Sequence, residues 1–316
     1  MPEIVTMGEL ICEIMRPEEN MELFETGEFR GPFPSGAPGI FISTTARLGI
    51  SSAIIAGVGK DDFGENILNR LKKDGVDVSR VIKSSKNSTG TAFVTYYSNG
   101  SRKFIFHVNG TAAVEPKAPA DTCGLEDVKY FHIMGCSLMA SLDFGREILK
   151  TMHMFQKQGA QISFDPNVRL EMMHDNTALQ MIKEVFYNSD ILMPGISELK
   201  MVTGKEQEEE AIKEAFQNKR LKILVLKEGK GGSRVYTREG QRVVTGVYKI
   251  QQIDATGAGD SYDAAFICGL LQGKTVQEAA KMGAAAGALN AAAFGPMEGN
   301  ISEKSIEEMI KRGEIR

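Results

Sequence analysis

The run Asp254-Ala255-Thr256-Gly257-Ala258-Gly259-Asp260 sets three small residues directly before an acid. It joins an extended stretch, Val244 to Ile253, to a helical pattern that begins near Asp260. Gly257, Ala258 and Gly259 leave their backbone N–H groups unobstructed. At a helix N-terminus such donors, together with the helix dipole, favour an anion. A carboxylate behind an anion-binding turn makes little sense for charge balance alone. It makes sense if Asp260 takes a proton from an attacking nucleophile while the turn holds charge on a phosphoryl group in transit. The competing reading is a glycine-rich turn followed by an ordinary first-turn acid.

Other chemical patterns fall away. Gly273-Lys274-Thr275 has the ending of a P-loop, but Cys268 stands where that loop needs a glycine, so a helix C-terminus is expected there. No GxGxxG follows a strand pattern. His107, His132, His153 and His174 show no metal-ligand spacing. Cys12, Cys123, Cys136 and Cys268 form no CxxC pair and read as reduced, mostly buried thiols. With 37 basic against 41 acidic residues and no block of like charge, neither nucleic acid nor a membrane surface is an expected partner. No apolar stretch reaches the roughly 18 residues of a membrane span. Met1 to Met15 lacks a basic leader region, so a cytoplasmic protein is expected.

These residues need a scaffold that holds them at strand ends. Short apolar runs at Ile4–Met7, Ala53–Gly57, Tyr130–Met134, Gln161–Phe164, Ile191–Met193 and Ile223–Leu226 read as strands. Helical patterns lie among them at Ile40–Leu48, Glu65–Asp74, Phe144–Gln158, Thr177–Tyr187 and Gln207–Phe216. The alternation predicts an α/β fold, a mostly parallel sheet with helices on both faces. Gly283 to Gly295 reads as a tightly packed helix. Two regions break the pattern. Leu10 to Phe33 is extended and irregular, and Ala92 to Val108 reads as a hairpin around a two-residue Asn99-Gly100 turn. A lone hairpin is marginal in water, so Leu10–Met15 is its expected partner in a small lid sheet. One domain over residues 1–316 is expected, with a lid from about 10–34 and 91–110.

With these segments in place, the chain resembles the ribokinase/PfkB family of carbohydrate kinases over essentially its whole length. The strongest match is Asp254 to Asp260. Others follow in a shared order: Ser35-Gly36-Ala37-Pro38-Gly39 running to Ala46-Arg47-Leu48-Gly49, then Gly57 to Gly64 with Asp74-Gly75-Val76. Phe164-Asp165-Pro166-Asn167-Val168-Arg169 matches fructokinase-like and ketodeoxygluconate-kinase-like members, Pro194 to Glu198 takes the place of an Asn-x-x-Glu motif, and Gly295 to Gly299 resembles a fructokinase-like tail. The resemblance implies a three-layer ribokinase-like fold with ATP, Mg²⁺ and, in many members, K⁺. It makes Asp260 the catalytic base, and Gly257, Ala258 and Gly259 the anion hole. Glu198 is the residue that organises Mg²⁺, through water, and Lys227 and Gly229 hold ATP phosphates. Asp254 and Thr256 form one loop of a monovalent-cation site, with Asn290, Ala293 and Gly295 in the second loop; Asn290 also counts with the nucleotide-site residues. Gly36 lies in the sugar pocket and Glu13 takes the place of a sugar-binding aspartate, with Arg169 and Asn109 as further sugar contacts.

Three departures stand out. Ser35 replaces a pocket glycine, Ile40 replaces an asparagine that contacts sugar hydroxyls, and Gly195 replaces the asparagine of Asn-x-x-Glu. The chemistry is retained while the substrate has shifted. The expected activity is ATP-dependent phosphorylation of a primary hydroxyl on a small neutral keto- or deoxy-sugar. A ketodeoxygluconate kinase ranks second, because the lid arginine of such enzymes corresponds to Val108 here. A nucleoside kinase and a non-catalytic sugar- or nucleotide-binding regulator are the remaining alternatives. A hairpin with an uncovered face predicts a homodimer joined through the lid.

Overall fold

A computed structural model describes residues 1–173 and 176–313, with the side chain of Leu170 left out. His174 therefore lies outside the described residues. In chain order the strands are β1 (Ile4–Met7), β2 (Ile11–Met15), β3 (Arg30–Ser35), β4 (Ser52–Gly59), β5 (Val81–Ser84), β6 (Gly90–Tyr96), β7 (Arg102–His107), β8 (Tyr130–Met134), β9 (Gln161–Asp165), β10 (Ile191–Leu192), β11 (Ile223–Lys227), β12 (Ser233–Thr237) and β13 (Arg242–Thr245).

Among the described residues these strands form two sheets. The larger has nine strands in the order β13-β12-β11-β10-β9-β8-β1-β4-β5. From β5 to β11 every pairing is parallel. Every residue of β1, β4 and β8 is buried, as expected of strands covered by helices on both faces. His132 in β8 belongs to this core. It stacks on Phe41 with ring centroids 3.8 Å apart, meets Ser163 through Nδ1, and burial lowers its pKa to about 3, so it is neutral.

The edge strands β12 and β13 are antiparallel and end at Thr245. The extended stretch expected from Val244 to Ile253 thus holds only two strand residues, and β12 was not anticipated. Gly232, with φ +88°, turns the chain back into β12. The small-residue helix runs Val276–Ala291 rather than to Gly295. Its packing against the Ala258–Leu271 helix explains the composition: a Cβ on Gly283 would sit 3.0 Å from the Tyr262 ring.

The smaller sheet has the order β3-β2-β6-β7. Strand β2 pairs parallel to β6 and antiparallel to β3, with a register shift between Glu13 and Met15. The hairpin β6–β7 turns over three residues, not two. Tyr97 N–H bonds Ser101 O, Gly100 N–H bonds Tyr97 O, and Gly100 has φ +84°. A type I turn closed by a left-handed glycine adds one residue to the loop. The two sheets meet at the carboxyl ends of the parallel strands, where ligands of open α/β sheets bind.

Candidate active site

The Ala258–Leu271 helix starts from Gly257, whose φ of +76° suits glycine. A Cβ there would also fall 2.4 Å from Pro296 O, so no larger residue fits. Asp260 lies in the first turn and is buried, with Oδ1 accepting from Asn167 Nδ2 at 3.2 Å. Burial, then the charge of Asp165, pushes its pKa up to about 7. A carboxyl poised there is a competent general base near neutral pH.

Lys227 closes β11, and its ammonium is held between two buried acids, 2.7 Å from Asp165 Oδ2 and 2.8 Å from Asp263 Oδ2. Burial disfavours its charge, but the two carboxylates outweigh that and raise its pKa. The same ammonium lies 3.8 Å from where a Cβ of Gly259 would sit. Lys227 is thus an ion-paired residue of the site and not a solvated strand end.

Two cavities flank this point. One, of about 250 Å³, lies under the small sheet and is lined by Glu9, Glu13, Gly36, Ile40, Arg102, Asn167, Arg169, Glu198 and Asp260, among others. The other, of about 440 Å³, is lined largely by small residues, including Gly229, Gly232, Gly246, Ala258, Ala284, Gly287, Ala288 and Ala291. Lys227, Ala255 and Gly259 line both. Asp260 thus lines the smaller cavity directly after Gly259, which lines both.

In the smaller cavity, Glu13 Oε1 accepts from Ser35 Oγ at 2.8 Å, while Oε2 is buried without a partner. Burial raises the Glu13 pKa to about 7. Ser35 has thereby become the clamp that orients this acid. Glu9, also raised by burial, accepts from Cys136 Sγ and Ser137 Oγ. Arg169 lines the wall and Ile40 contributes hydrocarbon.

Glu198 is spoken for by backbone. Its Oε1 accepts from Val168 N–H and its Oε2 from Gly195 N–H, both at 2.7 Å. Burial and the charge of Asp165 raise its pKa. The Gly195 N–H, which any residue there would have, makes the second of these contacts. Among the described residues no group of three or more His, Cys, Asp or Glu side chains is placed to hold a metal. The loops at Asp254–Thr256 and Asn290–Gly295 do meet: Asp254 Oδ2 accepts from Gly295 N–H at 3.1 Å and Asn290 Nδ2 donates to Thr256 O at 2.6 Å. Ala293 N–H bonds Asn290 O in the same loop.

Two expected contacts are not made. Asn109 is exposed just beyond β7 and lines neither cavity; Val108 lines the sugar-side cavity in its place. Asn290 is buried and absent from the larger cavity's lining, its amide bracing the Thr256 carbonyl instead. Sequence reasoning missed Glu9, Asn167 and Arg102. Arg102 carried a usable signal, since it alternates with Phe104 and Phe106 along β7 and all three line the smaller cavity.

A buried first-turn carboxyl with a raised pKa, a helix start at a left-handed glycine and an ammonium held by two buried acids thus lie together where the two cavities share lining residues. Residues 1–303 match the family described as pfkB family carbohydrate kinase, and the chain belongs to it. It is 31% identical over 305 residues to the 2-dehydro-3-deoxygluconokinase of Bacillus subtilis, covering 92% of this chain and 93% of that one. It is 28% identical over 317 residues to fructokinase-1 of Oryza sativa subsp. japonica, covering 98% and 97%. A ribokinase-II-type protein from E. coli, solved with ATP and Mg²⁺, is 33% identical with a TM-score of 0.91, covering 99% and 100%. The protein is an ATP-dependent sugar kinase with a ribokinase-like fold.

Proposed function

We propose that the protein transfers the γ-phosphoryl group of ATP to a primary hydroxyl of a small keto- or deoxy-sugar. The observation that carries this reading is the position of Asp260, in the smaller cavity with Lys227, Ala255 and Gly259, the three residues that also line the larger cavity. The sugar oxygen bonds to the γ-phosphorus, the bond to the bridging oxygen breaks, and its electrons leave with ADP. Asp260 accepts the hydroxyl proton, and the N–H groups at Gly257–Gly259 and the Lys227 ammonium stabilise the charge on the moving group. Mg²⁺ would spread the charge of the terminal phosphates; with both Glu198 oxygens engaged, the residues suit an ion carried in by the nucleotide and steadied through water. Asn290 Oδ1, buried without a partner beside the Asp254 loop, suits a monovalent cation there. A rate unchanged on replacing K⁺ by tetramethylammonium would remove that ion from the account.

Glu13 Oε2 is the acceptor expected to take a sugar hydroxyl, since an unpartnered buried hydroxyl costs about 1–3 kcal/mol. Ile40 favours a sugar lacking a hydroxyl on its side. A second reading, the acid 2-dehydro-3-deoxygluconate, is favoured by Arg102, which supplies beside Arg169 the second cation that Val108 does not. D-fructose and this acid, competed at equal concentration, separate the two. Preferential phosphorylation of fructose is expected; preference for the acid, lost in both Arg102→Ala and Arg169→Ala, would reverse the ranking.

The outer face of the small sheet leaves Phe29 38% and Ile105 43% exposed, and a homodimer through this face would cover them. A monomer mass in light scattering at micromolar concentration would refute it.

A further inference from the structure

Tyr96 and Arg102 are register partners at the end of the lid hairpin, and both side chains reach across to the turn that precedes the anion-binding helix. Tyr96 Oη lies 3.0 Å from Asp254 Oδ1 and 2.9 Å from Thr256 Oγ1, and Arg102 Nη1 lies 3.2 Å from the same Thr256 oxygen. We infer that Tyr96 is a positioning residue, the latch through which the lid fixes the anion-binding turn for phosphoryl transfer. The inference rests on the assignment of Gly257–Gly259 to that role.

Donors and acceptors give the latch one direction. Arg102 can only donate, so Thr256 Oγ1 accepts from it. Asp254 as a carboxylate only accepts, so the Tyr96 proton goes to Asp254. The Thr256 hydroxyl proton is then left for Tyr96 Oη. The result is a chain Arg102→Thr256→Tyr96→Asp254 in which each hydroxyl donates once and accepts once, the arrangement in which neighbouring bonds strengthen one another. Asp254 extends it, since Oδ1 also accepts from Thr256 N–H and Oδ2 from Gly295 N–H.

Thr256 is the residue immediately before Gly257, so its backbone sets where the helix starts. Gly257 cannot hold the turn by side-chain packing. The hairpin reaches both ligand spaces: Arg102 lines the sugar-side cavity, and Asn99 and Gly100 at its tip line the larger one. The latch lies between. The hairpin, held in this position, therefore also orders the N–H groups that receive the phosphoryl group, before transfer begins.

Hydrogen exchange on full-length Tyr96→Phe, without ligand, tests this directly. Amides of residues 254–260 should exchange about tenfold faster or more, with β1 and β8 unchanged. In steady state, with ATP and the better acceptor of D-fructose and 2-dehydro-3-deoxygluconate, kcat should fall about tenfold while KM for ATP stays within about threefold. The pair Tyr96→Phe and Thr256→Val should be strongly non-additive, the double variant scarcely slower than either single one. Unchanged exchange at 254–260, or multiplicative rate losses, would overturn the latch. Thr256→Val gives the same two readouts should Tyr96→Phe not fold. If neither sugar is phosphorylated by the wild type, the substrate reading falls, while the exchange result still decides the latch.

Discussion

The two cavities are lined by side chains of contrasting kinds. The sugar-side cavity is walled by charged side chains, Glu9, Glu13, Arg102, Arg169 and Asp260, each aimed by a specific neighbour or by burial. The larger cavity is lined mostly by glycine and alanine from the Gly229 turn and from the Ala258–Leu271 and Val276–Ala291 helices, with Lys227, Lys230, Ile250 and Tyr262 among them. Side chains of one kind suit a ligand whose hydroxyls must be told apart. A smooth wall of small residues suits a flat group held by shape and by backbone donors. Within the larger cavity a Cβ on Gly232 would fall 2.1 Å from Thr245 O and one on Gly287 2.9 Å from Ala258 O, so these positions take no added volume.

Perturbing one side should leave the other nearly unchanged. Glu13→Gln keeps the volume and the partner for Ser35 but loses the charged acceptor. It should lower kcat/KM for the sugar about thirtyfold, in the range expected for a lost charge-assisted hydrogen bond, with KM for ATP unaltered. A matched rise in both KM values would show that the cavities are not separate. In the other direction, Ala284→Phe should fill the larger cavity from the half-buried face of its helix. KM for ATP should rise about tenfold with little change for the sugar, read by varying each substrate at saturating levels of the other.

The same contrast explains what could be read in the sequence. Gly257, Ala258 and Gly259 were legible because backbone chemistry at a helix start demands small residues in a row. The parallel strands were legible because burial on both faces leaves unbroken apolar runs, as in β4 and β8. The smaller cavity was harder, because its residues come from the segment after β1, from β2, β7, the loop after β9 and helix starts, and only the tertiary fold brings them together. Asn109 lay near enough to β7 to be proposed, yet it is Arg102, at the far end of that strand, that lines the cavity. Glu9 sat in an ordinary acid's place at the end of β1. The partners of Lys227, Asp165 and Asp263, lie 62 and 36 residues away in the chain, and no spacing rule connects them. The antiparallel edge was missed because β12 and β13 carry alternating, half-exposed residues instead of apolar runs.

Asp260 lies directly after Gly259, which lines both cavities, and its raised pKa ties it to pH. The proton is bound more tightly in the folded protein, at about 7, than at the ordinary value of 3.8, so folding stability falls as pH rises through that window. The base works only once deprotonated, so kcat/KM should fall as pH drops below about 7. Stability and activity thus pull in opposite directions at this one carboxyl.

Asp260→Asn, assayed at pH 8 for ATP binding, turnover and melting, tests the account most directly. Turnover should fall at least about a hundredfold, the scale of a general base. ATP should bind with wild-type affinity, and the melting temperature should equal or exceed that of the wild type, since a buried ionised carboxyl has been removed. A variant that binds ATP, melts normally and phosphorylates sugar at the wild-type rate would show that Asp260 is not the base, and the two-cavity mechanism would lose its centre.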